Sequence, residues 1–175
     1  VGAAEYLRLD DDTLLAQCDV HTFRASGPGG QKRNKTSSAV RLHHRPTTLM
    51  AKAAEDRSQH VNKRRALRRL RRALATDILE ALDLTTYARS AEVAGAVDSG
   101  GRLRWRPRSV EADLVINEVL SLLNSATGRT AAAAACLGIA TANLIQVLES
   151  DPQVWRAANR IRQAHGRKAL VTSRG

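Results

Sequence analysis

The stretch Asp19-Val20-His21-Thr22-Phe23-Arg24-Ala25-Ser26-Gly27-Pro28-Gly29-Gly30-Gln31-Lys32-Arg33-Asn34-Lys35 decides how the chain folds. Asp19 to Arg24, with Val20, Thr22 and Phe23, predicts a strand. Ser26 to Gly30 packs three glycines and a proline into five residues. That excludes helix and strand and predicts an exposed loop of unusual backbone conformation. Beyond the loop, Ser38 to His43 alternates, with Val40 and Leu42 on one face and Arg41 and His43 on the other, as in a half-buried strand. Arg45-Pro46-Thr47 reads as a turn and Thr48 to Ala53 as a hairpin partner. From about Ser58 the period becomes helical. Leu67, Leu70, Leu74 and Ile78 form one apolar stripe, and Lys63, Arg64, Arg65, Arg68, Arg69, Arg71 and Arg72 fill the other faces, to about Leu82.

Outward from this unit, Asp10 to Ala16 predicts a short helix capped by Asp11. Asp98 to Pro107, with Gly100-Gly101, predicts a linker. After it every segment has helical patterning. Ser109 caps a helix bearing Val110, Leu114, Val119 and Leu122. Thr130 to Leu137 ends at Gly138, Thr141 caps Ala142 to Glu149, and Asp151-Pro152 opens a last helix that ends at Gly166. The expected fold class is α+β: a small antiparallel sheet with a basic covering helix, followed by an all-α helix-turn-helix-like module. The expected domains are residues 1–83, a linker over 84–108, and a helical module over 109–175.

Of the 175 residues, 43% are hydrophobic and only 3% aromatic, so the core is built from Ala, Leu, Val and Ile. The net charge is +11, which points to a polyanionic partner. The charge is concentrated: residues 21–75 hold fifteen basic and two acidic residues, a net +13, whereas residues 1–20 carry −4. No apolar run approaches the roughly 18 residues of a membrane span, and the first residues lack the cationic and apolar regions of a signal peptide. A start at Val1 reads as a fragment. Cys18 and Cys136 imply no disulfide framework, and a reducing cytoplasm is the expected compartment.

Chemically, Gly27-Pro28-Gly29-Gly30-Gln31 is a backbone device. A loop poor in Cβ atoms brings its N–H groups against a large substrate, and Pro28 stiffens it. One neutral amide, Gln31, stands at the tip, followed by Lys32, Arg33, Asn34 and Lys35. Cations behind a neutral tip suit a reactive carbon attached to nucleic acid. Gln is no general base at pH 7, so hydrolysis here must come from positioned water and backbone donors aimed at a developing oxyanion.

Phe23 to Gln31 with Asn34-Lys35, then Ala39-Val40-Arg41-Leu42, Pro46-Thr47, Arg57-Ser58-Gln59 and Asn62-Lys63, resembles the catalytic domain of class I peptide chain release factors over roughly Cys18 to Ala75. The resemblance implies that Gly29, Gly30 and Gln31 enter the peptidyl transferase centre and promote hydrolysis of the peptidyl-tRNA ester. The backbone N–H at Gln31 would stabilise the transition state, and its side chain would select water. Arg24, Ser26, Lys32, Arg33, Asn34, Lys35, Arg57, Gln59, Arg64, Arg65 and Arg68 are the candidate RNA contacts. The implied partners are large-subunit rRNA and peptidyl-tRNA, with no cofactor, no membrane and a monomeric state. The chain is most similar to the stand-alone rescue hydrolases of that family, since about 18 residues precede the matched region and the C-terminal half is helical. It departs from the family in two places. Arg33 stands where an apolar residue is frequent, and Thr48 where glycine is.

Other constellations are weaker. Thr130 to Val147 has helix-turn-helix spacing, but its second helix lacks Lys and Arg and offers only Asn143 and Gln146 to bases. Arg156, Arg160, Arg162, Arg167 and Lys168 could form a docking face. Cys18, His21, His43 and His44 lack the spacing of a zinc site, and no metal is expected. His60 reads as a phosphate or solvent contact, and Trp105 as packing on the helical half. The rival functions are a non-catalytic ribosome- or RNA-binding factor of the same fold and a helix-turn-helix DNA-binding regulator.

Overall fold

Alternation of apolar and polar residues, clearest in β2 and β3, builds the sheet. In the computed structural model, which describes residues 2–24, 37–109 and 111–172, β1 (Cys18–Phe23), β2 (Ala39–His44) and β3 (Met50–Ala53) pair antiparallel in the order β1-β2-β3. Val40 and Leu42 of β2 and their partners Ala53 and Ala51 of β3 are buried on one face. The edge strand β1 leaves Val20 42% exposed. Over the buried face lies α3 (Gln59–Asp77), with Ala66, Leu67, Leu70 and Leu74 in the core. Two short helices precede the sheet, α1 (Ala3–Leu7) and α2 (Asp11–Ala16). The first was not expected from the sequence. The second is capped by Asp10 rather than Asp11: Asp10 Oδ1 accepts from Thr13 N at 2.8 Å.

Thr48 closes the β2–β3 turn at φ 60° and donates its N–H to His44 O at 2.8 Å. This left-handed conformation costs an L-residue about 1–2 kcal/mol, most for a β-branched one, and glycine adopts it freely. Glycine loses more chain entropy on folding, which offsets part of the relief. Thr48→Gly is therefore expected to raise stability by about 0.5–1 kcal/mol, read as a higher urea midpoint with an unchanged slope.

His44 is fully buried between Thr47 Oγ1 at 2.7 Å and Gln17 Oε1 at 3.0 Å, with the Tyr6 ring edge-on at 4.8 Å. Burial holds its pKa below the usual imidazole value, and the Arg45 and His43 charges push the same way. The unfolded chain thus binds a proton here that the folded protein refuses. The contribution to stability is full above about pH 6.5 and is lost as pH falls toward the lowered folded value. Urea midpoints at neutral and mildly acidic pH should show a smaller acid loss in His44→Gln than in the parent.

The described residues divide into two compact units, Glu5–Leu74 and Val1–Ala4 with Ala75–Gly175. The second holds α4 (Ala91–Ala96), α5 (Ala112–Ser125), α6 (Thr130–Leu137), α7 (Thr141–Glu149) and α8 (Pro152–Ala164). Its core comes from Val115, Ile116, Val119, Leu120, Leu137, Leu144, Leu148, Val154 and Ile161. Asp151 caps α8 as expected, accepting from Gln153 N at 2.8 Å and Val154 N at 3.1 Å, with Pro152 at its start. The expected caps Ser109 and Thr141 do not act so: α5 and α7 begin after Glu111 and Ala140, neither with a side-chain cap.

The basic helix ends at Asp77, not near Leu82. A polar row on α5 explains why. Asn117 Nδ2 donates to Ala75 O at 3.1 Å and Ile78 O at 2.8 Å, taking carbonyls the helix would otherwise use. One and two turns on, Ser121 Oγ accepts from Glu80 N at 3.0 Å and Ser125 Oγ from Leu82 N at 2.9 Å. The chain leaves helical geometry because side chains satisfy its backbone. Residues 84–108, expected as a linker, contain α4, a Val97↔Leu103 bridge, and anchors onto α5 and α7. Glu118 accepts from Ser90 N at 3.0 Å and from Tyr87 OH, and Trp105 Nε1 donates to Ala112 O at 2.9 Å.

Candidate functional site

Antiparallel pairing fixes where the glycine-rich segment leaves and rejoins the sheet. The last registered pair is Phe23↔Ala39, so both ends of the intervening chain meet at one end of β1 and β2. Gly29, Gly30, Gln31, Ser26, Lys32, Arg33, Asn34 and Lys35 all lie outside the described residues. The returning arm is held by a fully buried polar residue, Asn62. Its Nδ2 donates to Ser38 O at 2.7 Å and Asp56 O at 2.9 Å, while its Oδ1 accepts from Asp56 N at 3.1 Å. A buried amide using both ends on main chain is worth more than a surface contact, because removing it strands several groups at once. In the sequence Asn62 stands out only as part of the family resemblance, without this role. The signal was there: Asn62 shares the i, i+4, i+8 row with Ala66 and Leu70 on the apolar face of α3.

The structure sorts the cations of α3 into two sets. Arg71, only 17% exposed, donates to Leu9 O at 2.7 Å, Leu7 O at 3.1 Å and Asp11 at 2.7 Å. Arg69 donates to Lys52 O at 2.6 Å and pairs with Glu55, whose carboxyl the guanidinium holds below the usual range. Arg65 is half-buried and pairs with Asp56 at 3.5 Å. These three fasten the domain. Arg64 and Arg68, one turn apart and exposed, have no ion-pair partner among the described residues. Arg57 and Gln59 are exposed where the helix begins, His60 is exposed beside them, and Arg24 is exposed just after β1. The candidate contacts that the structure describes are thus accessible except Arg65, which is partly committed to Asp56.

The second unit supplies less docking charge than its sequence suggests. Arg162 donates to Gly128 O at 2.6 Å and Lys168 O at 2.9 Å, Arg167 to Thr127 O at 2.6 Å, and Arg160 pairs with Asp77 at 2.5 Å. Arg156 and Lys168 remain exposed. The α6 and α7 axes turn by 103°, a helix-turn-helix angle. Yet Asn143 is buried and grips Leu103, accepting from its N–H at 2.7 Å and donating to its carbonyl at 3.2 Å, and Gln146 accepts from Arg102 at 3.3 Å. Both side chains that could have met base edges are engaged within the unit. Among the described residues no three His, Cys, Asp or Glu side chains cluster to hold a metal: His44 faces the core, while His43 lies 3.4 Å from Asp19. No single described helix is long and apolar enough to cross a membrane.

A small antiparallel sheet whose strands β1 and β2 flank a glycine-rich segment, backed by a helix with exposed guanidinium groups, defines an α+β domain. The chain belongs to the RF-1 domain family, whose profile matches residues 12–108. It is 43% identical over 89 residues to peptide chain release factor 1 of Leptothrix cholodnii, covering 51% of this chain and 25% of the relative. It is 35% identical over 104 residues to peptide chain release factor 2 of Shewanella baltica, covering 57% and 27%. With peptide chain release factor 1 of Burkholderia multivorans it shares 57% identity over 54 residues, 31% of this chain and 15% of the relative. The chain thus spans about a quarter or less of the length of these relatives.

Proposed function

We propose that this chain hydrolyses the ester of peptidyl-tRNA on stalled ribosomes or free large subunits without reading a codon. The observation that carries the reading is the Gly29-Gly30-Gln31 tripeptide inside the matched span, between two strands of the family's domain. In this reading the backbone N–H at Gln31 donates to the oxyanion that develops at the ester carbon, and the amide side chain admits and orients water. Gln31 does not take up the proton, so the rate enhancement rests on alignment and water selection. Arg64, Arg68 and Arg57, with Lys32, Arg33 and Lys35, hold rRNA and tRNA phosphates. No cofactor enters the reaction, the chain acts as a monomer, and the cytoplasm is its place of work.

Support for codon independence comes from the residues after the matched span. They form helices in which Asn143 is buried against Leu103 and Gln146 accepts from Arg102, which leaves this unit few amides to offer to bases. The test is peptide release from ribosomes whose mRNA ends in the P site, compared with ribosomes holding a stop or a sense codon in the A site. Release from the first without dependence on a codon is expected. Release confined to stop codons would make the chain part of a termination factor. Binding without any release would leave a non-catalytic factor of the same fold.

A further inference from the structure

The outer face of the sheet carries a feature that the proposed chemistry does not use. Register places His21, Arg41 and Lys52 directly across from one another on three adjacent strands. The alternate residues of β2, namely Val40, Leu42 and His44, are buried, so Arg41 points to solvent, and His21 and Lys52 are likewise exposed. Like charges directly opposite on a sheet are destabilising, so Arg41 across from Lys52 costs the fold something. Neither has an ion-pair partner among the described residues. The next row shows what a compensated row looks like: there Asp19 is held by Arg45 at 2.9 Å and lies 3.4 Å from His43. Residues 25–36 contain no carboxylate that could supply the missing charge.

Beside this row, two residues along β1 from His21, stands Phe23, the chain's one phenylalanine and 36% exposed. Met50, 62% exposed, lies at the diagonally opposite corner, with the cationic row between. The two apolar side chains therefore form no continuous patch of the kind that meets a membrane or an apolar protein surface. A partly exposed aromatic ring with cations beside it on one sheet face suits single-stranded RNA, one base stacked and its phosphates paired.

We propose that this face is an RNA-docking surface separate from α3, with Arg41 and Lys52 on phosphates and Phe23 beneath an unpaired base. The choice of RNA as partner rests on the function proposed above, but the binding it describes does not require hydrolysis. The test measures binding of a labelled single-stranded RNA of about a dozen nucleotides by anisotropy across a salt series. Arg41→Gln with Lys52→Gln should lower affinity about 20-fold near 0.1 M salt and reduce the log–log salt slope by about 1.4. Phe23→Leu should lower affinity at least fivefold with the slope unchanged. The thermal midpoint of the double variant should hold or rise, because cross-strand repulsion is relieved, a change opposite in sign to that of a structural pair. The proposal is overturned if the parent does not bind RNA, if the double variant binds like the parent, or if it loses affinity only along with its thermal midpoint. Equal binding to phosphatidylserine vesicles or polyglutamate, lost equally in the variants, would assign the face to a membrane or an acidic protein instead. If the variants behave as expected while the parent releases no peptide, the hydrolase reading fails and this surface stands.

Discussion

Gly30→Ala is expected to lower the rate of peptide release by about 10²–10³-fold while leaving ribosome affinity within a factor of two or so. The added Cβ falls where the proposed reaction needs the backbone itself to approach the ester. An alanine there also narrows the conformations from which the N–H of Gln31 can be aimed. A misaligned oxyanion donor removes stabilisation that exists only in the transition state, so the loss should appear in the single-turnover rate at saturating enzyme and not in the binding curve. The cations proposed to hold phosphates are separate residues and are untouched. Unchanged release by the alanine variant would remove Gly29-Gly30-Gln31 from the chemistry and leave a binding factor.

The next largest effect is expected for Arg64→Gln combined with Arg68→Gln. Each guanidinium is exposed and has no ion-pair partner among the described residues, so the substitutions cost the fold little. Loss of two phosphate contacts should reduce the log–log salt slope of ribosome binding by about 1.4–1.8 and the affinity near 0.1 M salt by about 25- to 60-fold. Arg65→Gln added to the pair should contribute less than a third equal step, since Arg65 already pairs with Asp56 at 3.5 Å. A salt slope identical to the parent's would move the docking face away from α3.

The strands and the long helix were legible because their signals are local: alternation at Val40-Arg41-Leu42-His43 and a helical stripe at Leu67, Leu70 and Leu74 each state which face is buried. The glycine-rich tripeptide is legible as a motif because its residues are consecutive, and it lies outside the described residues. What the sequence concealed was pairing at a distance. Fifteen basic residues over 21–75 read as one surface, yet Arg69 and Arg71 are spent on carbonyls and carboxylates of β3, Glu55 and the N-terminal segment. No periodicity distinguishes a guanidinium that will meet Leu9 O from one that will meet solvent. The end of α3 was misplaced on similar grounds. Ile78 continues the stripe, but Asn117, some forty positions away, takes its carbonyl. The cap of α8 was read correctly because Asp151-Pro152 acts on its immediate neighbours.

Asn62, Asn117, Ser121, Ser125 and Asn143 have one habit in common: each holds main-chain atoms of another segment, never its side chains. Such a tie prescribes the path of the held segment but not its residues. Evolutionary drift can therefore rewrite Ile78 to Leu82 without breaking these ties, whereas Leu103 is fixed also by its own burial and each holder admits few substitutes. The tolerance of a position in this protein is set less by whether it lies in a helix or a loop than by which end of such a tie it occupies.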